Sequence, residues 1–389
     1  MRTETLTKAL ALAWILGFAS TWSVAGAAPV PEGKQLLSEL TAQAQKEGRL
    51  VTLVGGSEAP AITKLVSAFK QRFGLNINVK VDTGSASGTH VKTVGEMQAG
   101  VKPSYDALVL APDSYMVDLH KAGGYAFVNN WQSLLSEINP LVQKGTVKPE
   151  IISPAPFSGF VYIHANRSNT LLYNKKLISE PELPNTRKEW GNQKYGGKYA
   201  VPPWTEYEVY VALIYNEKEL ETFLETMEQV GKGAKFVATF AEIINRLLLG
   251  EIAFMPANGH MYWEALVKDP TAPIGIKFWR DFTPFGNLFT GMIKGTKSPA
   301  AATLFVLWMT TPEAHAILQG ANFIPNLIYG ETELDKTQRS AIKNSGSPVL
   351  NWFDSPQTVE KFRWLAESKE GQRFSERLLR AYTQRKQQQ

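Results

Sequence analysis

The chain holds five histidines (His90, His120, His164, His260 and His315) and no cysteine, and the histidines are scattered without the spacing of metal ligands. No nucleophile elbow, metalloprotease helix, phosphate-binding P-loop or dinucleotide glycine fingerprint occurs. Glu206 and Glu208 stand two apart, which on a helix turns them to different sides. The densest polar chemistry is a run of small residues, "DTGSASGTH" (82–90), after an alternating apolar stretch. Gly84 and Gly88 let the backbone come close to a ligand, while Thr83, Ser85, Ser87 and Thr89 add hydroxyls. A helix starting here would offer free N–H groups and about half a positive charge. Such a nest suits a carboxylate, phosphate or phosphonate. The plainer alternative is a helix cap, with Ser87 or Thr89 accepting from the backbone and the rest ordinary turn chemistry.

The elements that must position this loop follow a regular rhythm. "RLVTLV" (49–54) reads as a compact strand. Ile62, Leu65, Val66, Phe69 and Phe73 then form one helical stripe that Gly74 ends. "LNINVKV" alternates as a strand with one better-buried face, a helix carrying Val91, Val94 and Met97 follows the loop, and "YDALVLA" (105–111) is the third strand. Strand, helix, strand, helix, strand defines a doubly wound α/β unit with parallel strands. An extended apolar segment, "FVYIHANRSNTLLYNKKL" (160–177), leads to a second α/β rhythm. There "TFAEIINRLLLG" is the clearest helix, opened by Thr239 and Glu242 as a capping box and closed by Gly250. "EIAFM" and "IGIKF" are further strands, and Ser298-Pro299 and Thr311-Pro312 mark two helix starts. The C-terminal region from 355 onward is helical and amphipathic.

Composition bounds the class. Arg2 and Lys8 precede the apolar run "ALALAWILGFA" and the small residues of "SVAGAAP", the order of a secretory signal peptide, with cleavage expected after Ala27. The run is too short to cross ~30 Å of hydrocarbon, and no later segment approaches the ~20 apolar residues of a spanning helix. An exported chain without cysteine is stabilised by its core and carries no thiol for lipid attachment, which predicts a freely diffusing periplasmic protein. The net charge of +5 is too weak an excess to predict nucleic-acid binding. A chain of 389 residues exceeds what one core usually organises, so two domains are expected.

With these pieces in order, the sequence resembles the bacterial extracellular solute-binding proteins of ABC importers, in the branch that includes ferric-iron carriers. The segment "EGRLVTLVGGSEAPAITKLVSAFKQRFGLNINVKV" carries the resemblance, with "TLLYNKKL", "YGGKYAVPPW", "LLLGEIAFMPANGHMYW" and "IKGTKSPAAATLFVLWMTTPEAHAIL" in the same order over residues 47–325. The resemblance implies a type II periplasmic-binding fold: two α/β lobes joined by crossing hinge strands, closing on one small ligand and delivering it to an ABC permease. It implies residues 28–166 plus 284–330 as one lobe and 167–283 plus 331–389 as the other. The hinge falls near Asn166–Tyr173 and Thr283–Leu288. A monomer with no cofactor is expected.

Ligands in open α/β sheets collect at the carboxyl ends of strands. That rule selects Ser57 and Glu58 after the first strand and Thr83, Gly84, Ser85, Ser87 and Gly88 after the second. It also selects "LAPDSY" after the third, and Trp204, Thr205, Glu206, Asn258 and Tyr262 from the other half. Two aromatics and a carboxylate in "PPWTEY" fit an organic ligand with a ring or cationic portion, or else a buried Trp beside solvated glutamates. Ferric relatives are expected to hold the metal with adjacent tyrosines plus a histidine and a glutamate. Here the tyrosine pair reads Met261-Tyr262, Ser57 and Glu58 stand at the histidine position, and Ala111 stands at the glutamate position with Asp113 two residues on. Hard Fe(III) wants several anionic oxygens. The expected guest is therefore a small organic anion, a phosphonate or phosphate ester among the candidates, with no metal. Ferric iron is the alternative cargo. A secreted hydrolase is the alternative class, since carboxylates assembled from distant segments leave no local motif. A partner sensor in place of a permease would use the same cleft.

Overall fold

The computed structural model describes residues 33–55, 59–201, 207–237 and 239–383. The leader 1–27, Ser57, Glu58, Trp204, Thr205 and Glu206 lie outside them. Ten strands are described: β1 Arg49–Val54, β2 Asn78–Asp82, β3 Ala107–Pro112, β4 Tyr162–Asn174, β5 Ala200–Val201, β6 Lys235–Phe236, β7 Phe254–Asn258, β8 Ile274–Lys277, β9 Thr283–Met292 and β10 Val349–Leu350. Eight of these form one sheet in the order β2-β1-β3-β9-β4-β7, with β8 on β4 and β10 on β9.

The first half follows directly from its pattern. β1 pairs in parallel with both β2 and β3. The helix Ala59–Phe73 buries Ala61, Leu65 and Phe69, spaced four apart on one face. Gly74 then adopts φ +62° and the Leu75 amide donates back to the Lys70 carbonyl at 2.9 Å, which closes the helix. Phe69 meets Phe305 edge-on at 5.1 Å and Trp308 at 5.5 Å. The helix Pro299–Trp308, buried from Ala300 to Trp308, is thereby packed against the helix Ala59–Phe73. Burying each such aromatic contributes about 1.5–3 kcal/mol.

β4 and β9 join the halves. Residues 162–168 of β4 run antiparallel to β9, with Arg167 opposite Gly286 and Ser168 opposite Phe285. Residues 169–173 then pair with β7, and 171–174 with β8. On its other edge β9 pairs with β3 through residues 288–292. The partner switch therefore falls at 168–169 on β4 and 285–288 on β9. All ten residues of β9 are buried, as are all residues of β4 except the half-buried Arg167. Beyond the switch, Leu172, Met255, Ala257, Met261 and Ile274 form a separate apolar cluster under the second half. Helices 356–367 and 369–383 pack on each other and 369–383 on the helix Glu217–Gly233. The fold is thus two α/β lobes joined by crossing strands, as expected. Among the described residues no helix is long and apolar enough to cross a membrane.

Candidate functional site

The loop after β2 is a capped turn. Ser85, not Ser87 or Thr89, is the cap: its Oγ accepts the Gly88 amide at 3.4 Å and lies 2.8 Å from Ser87 Oγ. Asp82 Oδ1 accepts the Gly84 amide at 2.9 Å, and Tyr105 donates its hydroxyl to Oδ2 at 2.6 Å. These two bonds hold the Asp82 carboxyl below its usual range, so a negative charge sits at the base of the turn. Thr83, Gly84, Ser85, Ser87 and Gly88 are exposed and Thr89 is buried. The amides of both glycines and the paired hydroxyls are already engaged, and an incoming anion would meet Asp82. The anion-nest expectation is weakened on this geometry.

The crossing strands present the opposite situation. β7 ends at Asn258, and the helix His260–Lys268 begins two residues later. Gly259 joins them: its amide donates to the Ser168 carbonyl at 2.8 Å, and a Cβ here would stand 2.5 Å from Ser168 Oγ. Only glycine permits so close an approach. Ser168 Oγ and His260 Nδ1 are buried without a hydrogen-bond partner among the described residues. Burial, reinforced by the charge of Arg167, pushes His260 down to about 3, so its ring is neutral at physiological pH. Arg167, a buried serine hydroxyl and a helix start without a side-chain cap therefore all lie at the strand crossing, the successive Arg167 and Ser168 side chains leaving opposite faces of β4.

A short 3-10 helix, Glu208–Leu213, lies across this crossing. Tyr207 donates its hydroxyl to Asn258 Oδ1 at 2.5 Å, and its ring covers Gly286, where a Cβ would meet it at 2.7 Å. One 3-10 turn later, Tyr210 donates to Asp113 Oδ2 at 2.5 Å. Asp113 opens the helix Asp113–Lys121 at the carboxyl end of β3. Its Oδ1 accepts the Trp352 indole N–H at 2.7 Å, and its Oδ2 accepts the Asn287 amide at 3.0 Å. Burial, opposed by these bonds, pushes Asp113 up to about 6.

The structure brings Asn258 into this cluster but not Tyr262. The Tyr262 ring packs on Trp263 at 5.1 Å and against the apolar cluster of the second half. Its phenol acts on Tyr173, at the far end of the β4–β7 pairing from Asn258. Sequence reasoning missed Arg167, Ser168, Tyr210, Gly259, His260 and Gly286 as site residues. The available signal was "ANRSNT", a polar interruption carrying one arginine inside an otherwise apolar segment.

Cavities also lie elsewhere in the molecule. A groove of about 1590 Å³ runs between residues 150–155 and the helix Pro356–Glu367, lined by Phe285, Leu327, Ile342, Val349, Phe353 and Trp364. It is mainly apolar and holds none of Asn258, His260, Arg167 or Asp113. A chamber of about 20 Å³, sized for one water, is lined by Gly55, Val109, His164 and His315. Among the described residues no group of three or more histidine, aspartate or glutamate side chains is placed to hold a metal.

Paired α/β halves, with polar groups gathered where strand ends meet the crossing, define a ligand-binding protein of the two-lobed type. The chain belongs to the bacterial extracellular solute-binding protein family, whose model matches residues 64–328. That family and fold are transport-associated binding proteins, not enzymes. No curated protein matches the chain at the level of sequence. Among solved structures it is similar to iron-bound HitA from Pseudomonas aeruginosa, at 16% identity and TM-score 0.64, covering 85% of this chain and 99% of that one. It is also similar to Trichodesmium IdiA (FutA) in complex with iron and citrate, at 15% identity and TM-score 0.60, covering 86% and 99%. The substrate-binding protein of an Agrobacterium tumefaciens ABC transporter matches at 15% identity and TM-score 0.59, covering 86% and 97%.

Proposed function

We propose that this is a periplasmic binding protein that captures a small organic anion between its lobes and delivers it to the permease of an ABC importer. The observation that carries the reading is Arg167, the half-buried cation in the middle of two otherwise buried crossing strands, next in the chain to Ser168, whose hydroxyl has no partner among the described residues, and near the start of the helix His260–Lys268. A guanidinium fork, a hydroxyl and helix N–H groups match the oxygens of a carboxylate or phosphonate. Asn258 and Tyr207 stand beside them, and Trp204, Thr205 and Glu206 precede Tyr207 in the chain. The lobes are 28–166 plus 284–330 and 167–283 plus 331–389, bending at the partner switch in β4 and β9. The exported protein is a monomer that begins at Ala28, and its secreted mass tests that cut.

The Pseudomonas neighbour is iron-bound and the Trichodesmium one is in complex with iron and citrate. In this chain Met261 replaces one of the expected tyrosines and is buried among Leu172, Met255 and Ala257, so it supplies no oxygen, and the Tyr262 ring packs on Trp263 and against the same cluster.

A thermal-shift panel of phosphonates, phosphate esters and carboxylates tests the reading. One millimolar ligand with micromolar affinity stabilises by about 4 kcal/mol through mass action. At least one compound should give such a shift in the wild type and lose it in Arg167→Met. Stabilisation by ferric salts alone would overturn the organic-anion reading and leave the family assignment intact.

A further inference from the structure

We infer that Asp113 is a positioning residue that holds the two lobes in register, by anchoring the strap 207–213 of the second lobe to the end of β3 in the first. The strap is tied at both ends: Tyr207 to Asn258 at the end of β7, and Tyr210 to Asp113. Three further donors converge on the same carboxylate. They are the Asn287 amide and side chain from β9 and the Trp352 indole from the C-terminal segment, where Asn287 Nδ2 also reaches Asn351 Oδ1 at 3.0 Å. One buried carboxylate thus joins the first lobe, a hinge strand, the second lobe and the C-terminal region.

The donor set defines when the tie is whole. The Trp352 and Asn287 groups can only donate, so an ionised Asp113 satisfies them all. A protonated Asp113 can pass its hydrogen only to the Tyr210 oxygen, and Tyr210 must then turn its own hydrogen elsewhere. Burial displaces Asp113 upward, to about 6, against the pull of these hydrogen bonds. Two other groups near the junction titrate from shifted positions. Asp354 accepts the Asn351 amide and is raised by burial. His120, at the far end of the Asp113 helix, is lowered by burial and packs between Phe157 and Phe160. Other contacts cross nearby, including the Lys121 ammonium on the Ala366 carbonyl and Phe157 against Trp352 at 5.7 Å. None of them places a charge on the strap. The inference rests on the two-lobed fold and not on the identity of the guest.

The absence of cysteine permits a direct test. Val101 (53% exposed, first lobe) and Val267 (65% exposed, second lobe) are replaced by cysteine and spin-labelled in the full mature chain, without ligand. Inter-label distances are then read by double electron–electron resonance. We expect one narrow distance peak at pH 7.5. The same peak should persist at pH 5, because the buried carboxyl takes up its proton more readily than a released one and then donates to Tyr210. Asp113→Ala and Tyr210→Phe should both give a broad distribution at either pH, and Asp354→Asn should keep the narrow peak. Should Asp113→Ala fail to fold, Tyr210→Phe, which removes one hydroxyl, carries the readout. A broad wild-type distribution at pH 7.5, or a narrow peak in Tyr210→Phe, would overturn the inference.

Discussion

The turn after β2 and the crossing of β4 with β9 both gather small polar residues at strand ends, yet they differ in how those groups are satisfied. At the turn, Ser85, Ser87, Gly84 and Asp82 bond to one another or to Tyr105. At the crossing, Ser168 and His260 are buried with polar atoms that have no partner among the described residues, and His260 feels the charge of Arg167. Burying a polar group without a partner costs about 1–3 kcal/mol, so such atoms persist where something else repays the cost. The comparison teaches that hydroxyl content locates a turn, whereas unmet hydrogen-bonding capacity locates a binding site.

The largest expected difference between the two regions is in acid. His164 on β4 is pushed down to about 3 by burial and then by His315, and His260 to about 3 by burial and then by Arg167. Their folded values lie below the usual 6.5, so the unfolded chain takes up protons that the native state refuses. Stability should therefore fall as pH drops below about 6.5. Asp113 works the other way between 3.8 and about 6, where the native state binds the proton more readily and partly offsets the loss. Asp82 at the turn is lowered, so its contribution is present above 3.8 and disappears only below it. Urea midpoints at pH 7, 5.5 and 4.5 should decline steadily, and His164→Gln should flatten the decline. A constant midpoint would show that the crossing is not the acid-sensitive region.

Ligand affinity should separate the regions next. Arg167→Met removes a charged donor worth about 1.5–3 kcal/mol, a loss of roughly tenfold to a hundredfold in affinity for the best anion of the panel. Removing the hydroxyl of Ser87 should leave that affinity within experimental error. Titration calorimetry of both variants decides it, and equal losses would return the turn to the site. Slightly smaller is Gly286→Ala, whose new methyl would stand 2.7 Å from the Tyr207 ring. Overpacking of this kind costs about 1–3 kcal/mol, read as a lowered urea midpoint, and should weaken binding as Tyr207 leaves Asn258.

Much of this architecture was legible in the residues. β1 matches "RLVTLV" at both ends, and the switch in β4 and β9 lies inside the segments expected to bend, because strand periodicity and buried aliphatic runs are local signals. The candidate site was harder to read. Asn258 was selected because it ends a strand, whereas Arg167 and Ser168 sit mid-strand and become candidates only once β4 is seen to change partners. The Tyr207–Asn258 and Tyr210–Asp113 bonds join residues 51 and 97 positions apart, which no spacing rule anticipates. Tyr262 was selected from "NGHMYW"; its ring packs on Trp263 and against the apolar cluster of the second half, contacts that its place in the sequence does not reveal.

The smallest effect gives the sharpest contrast, because the same substitution should have opposite signs in the two regions. Ser85→Ala deletes an N-cap whose hydroxyl accepts a 3.4 Å bond in an exposed turn. It should lower stability by about 0.5–1 kcal/mol, the weak end of the range for lost caps. Ser168→Ala deletes a buried hydroxyl with no partner among the described residues, so the folded protein loses no hydrogen bond and sheds an unmet polar group. Stability should be unchanged or raised by a few tenths of a kcal/mol. If Ser168 serves the guest, the same variant binds it more weakly while unfolding no more easily. A Ser168→Ala protein that is destabilised as much as Ser85→Ala would mean that its hydroxyl supports the native fold, and the distinction between the two regions would be lost.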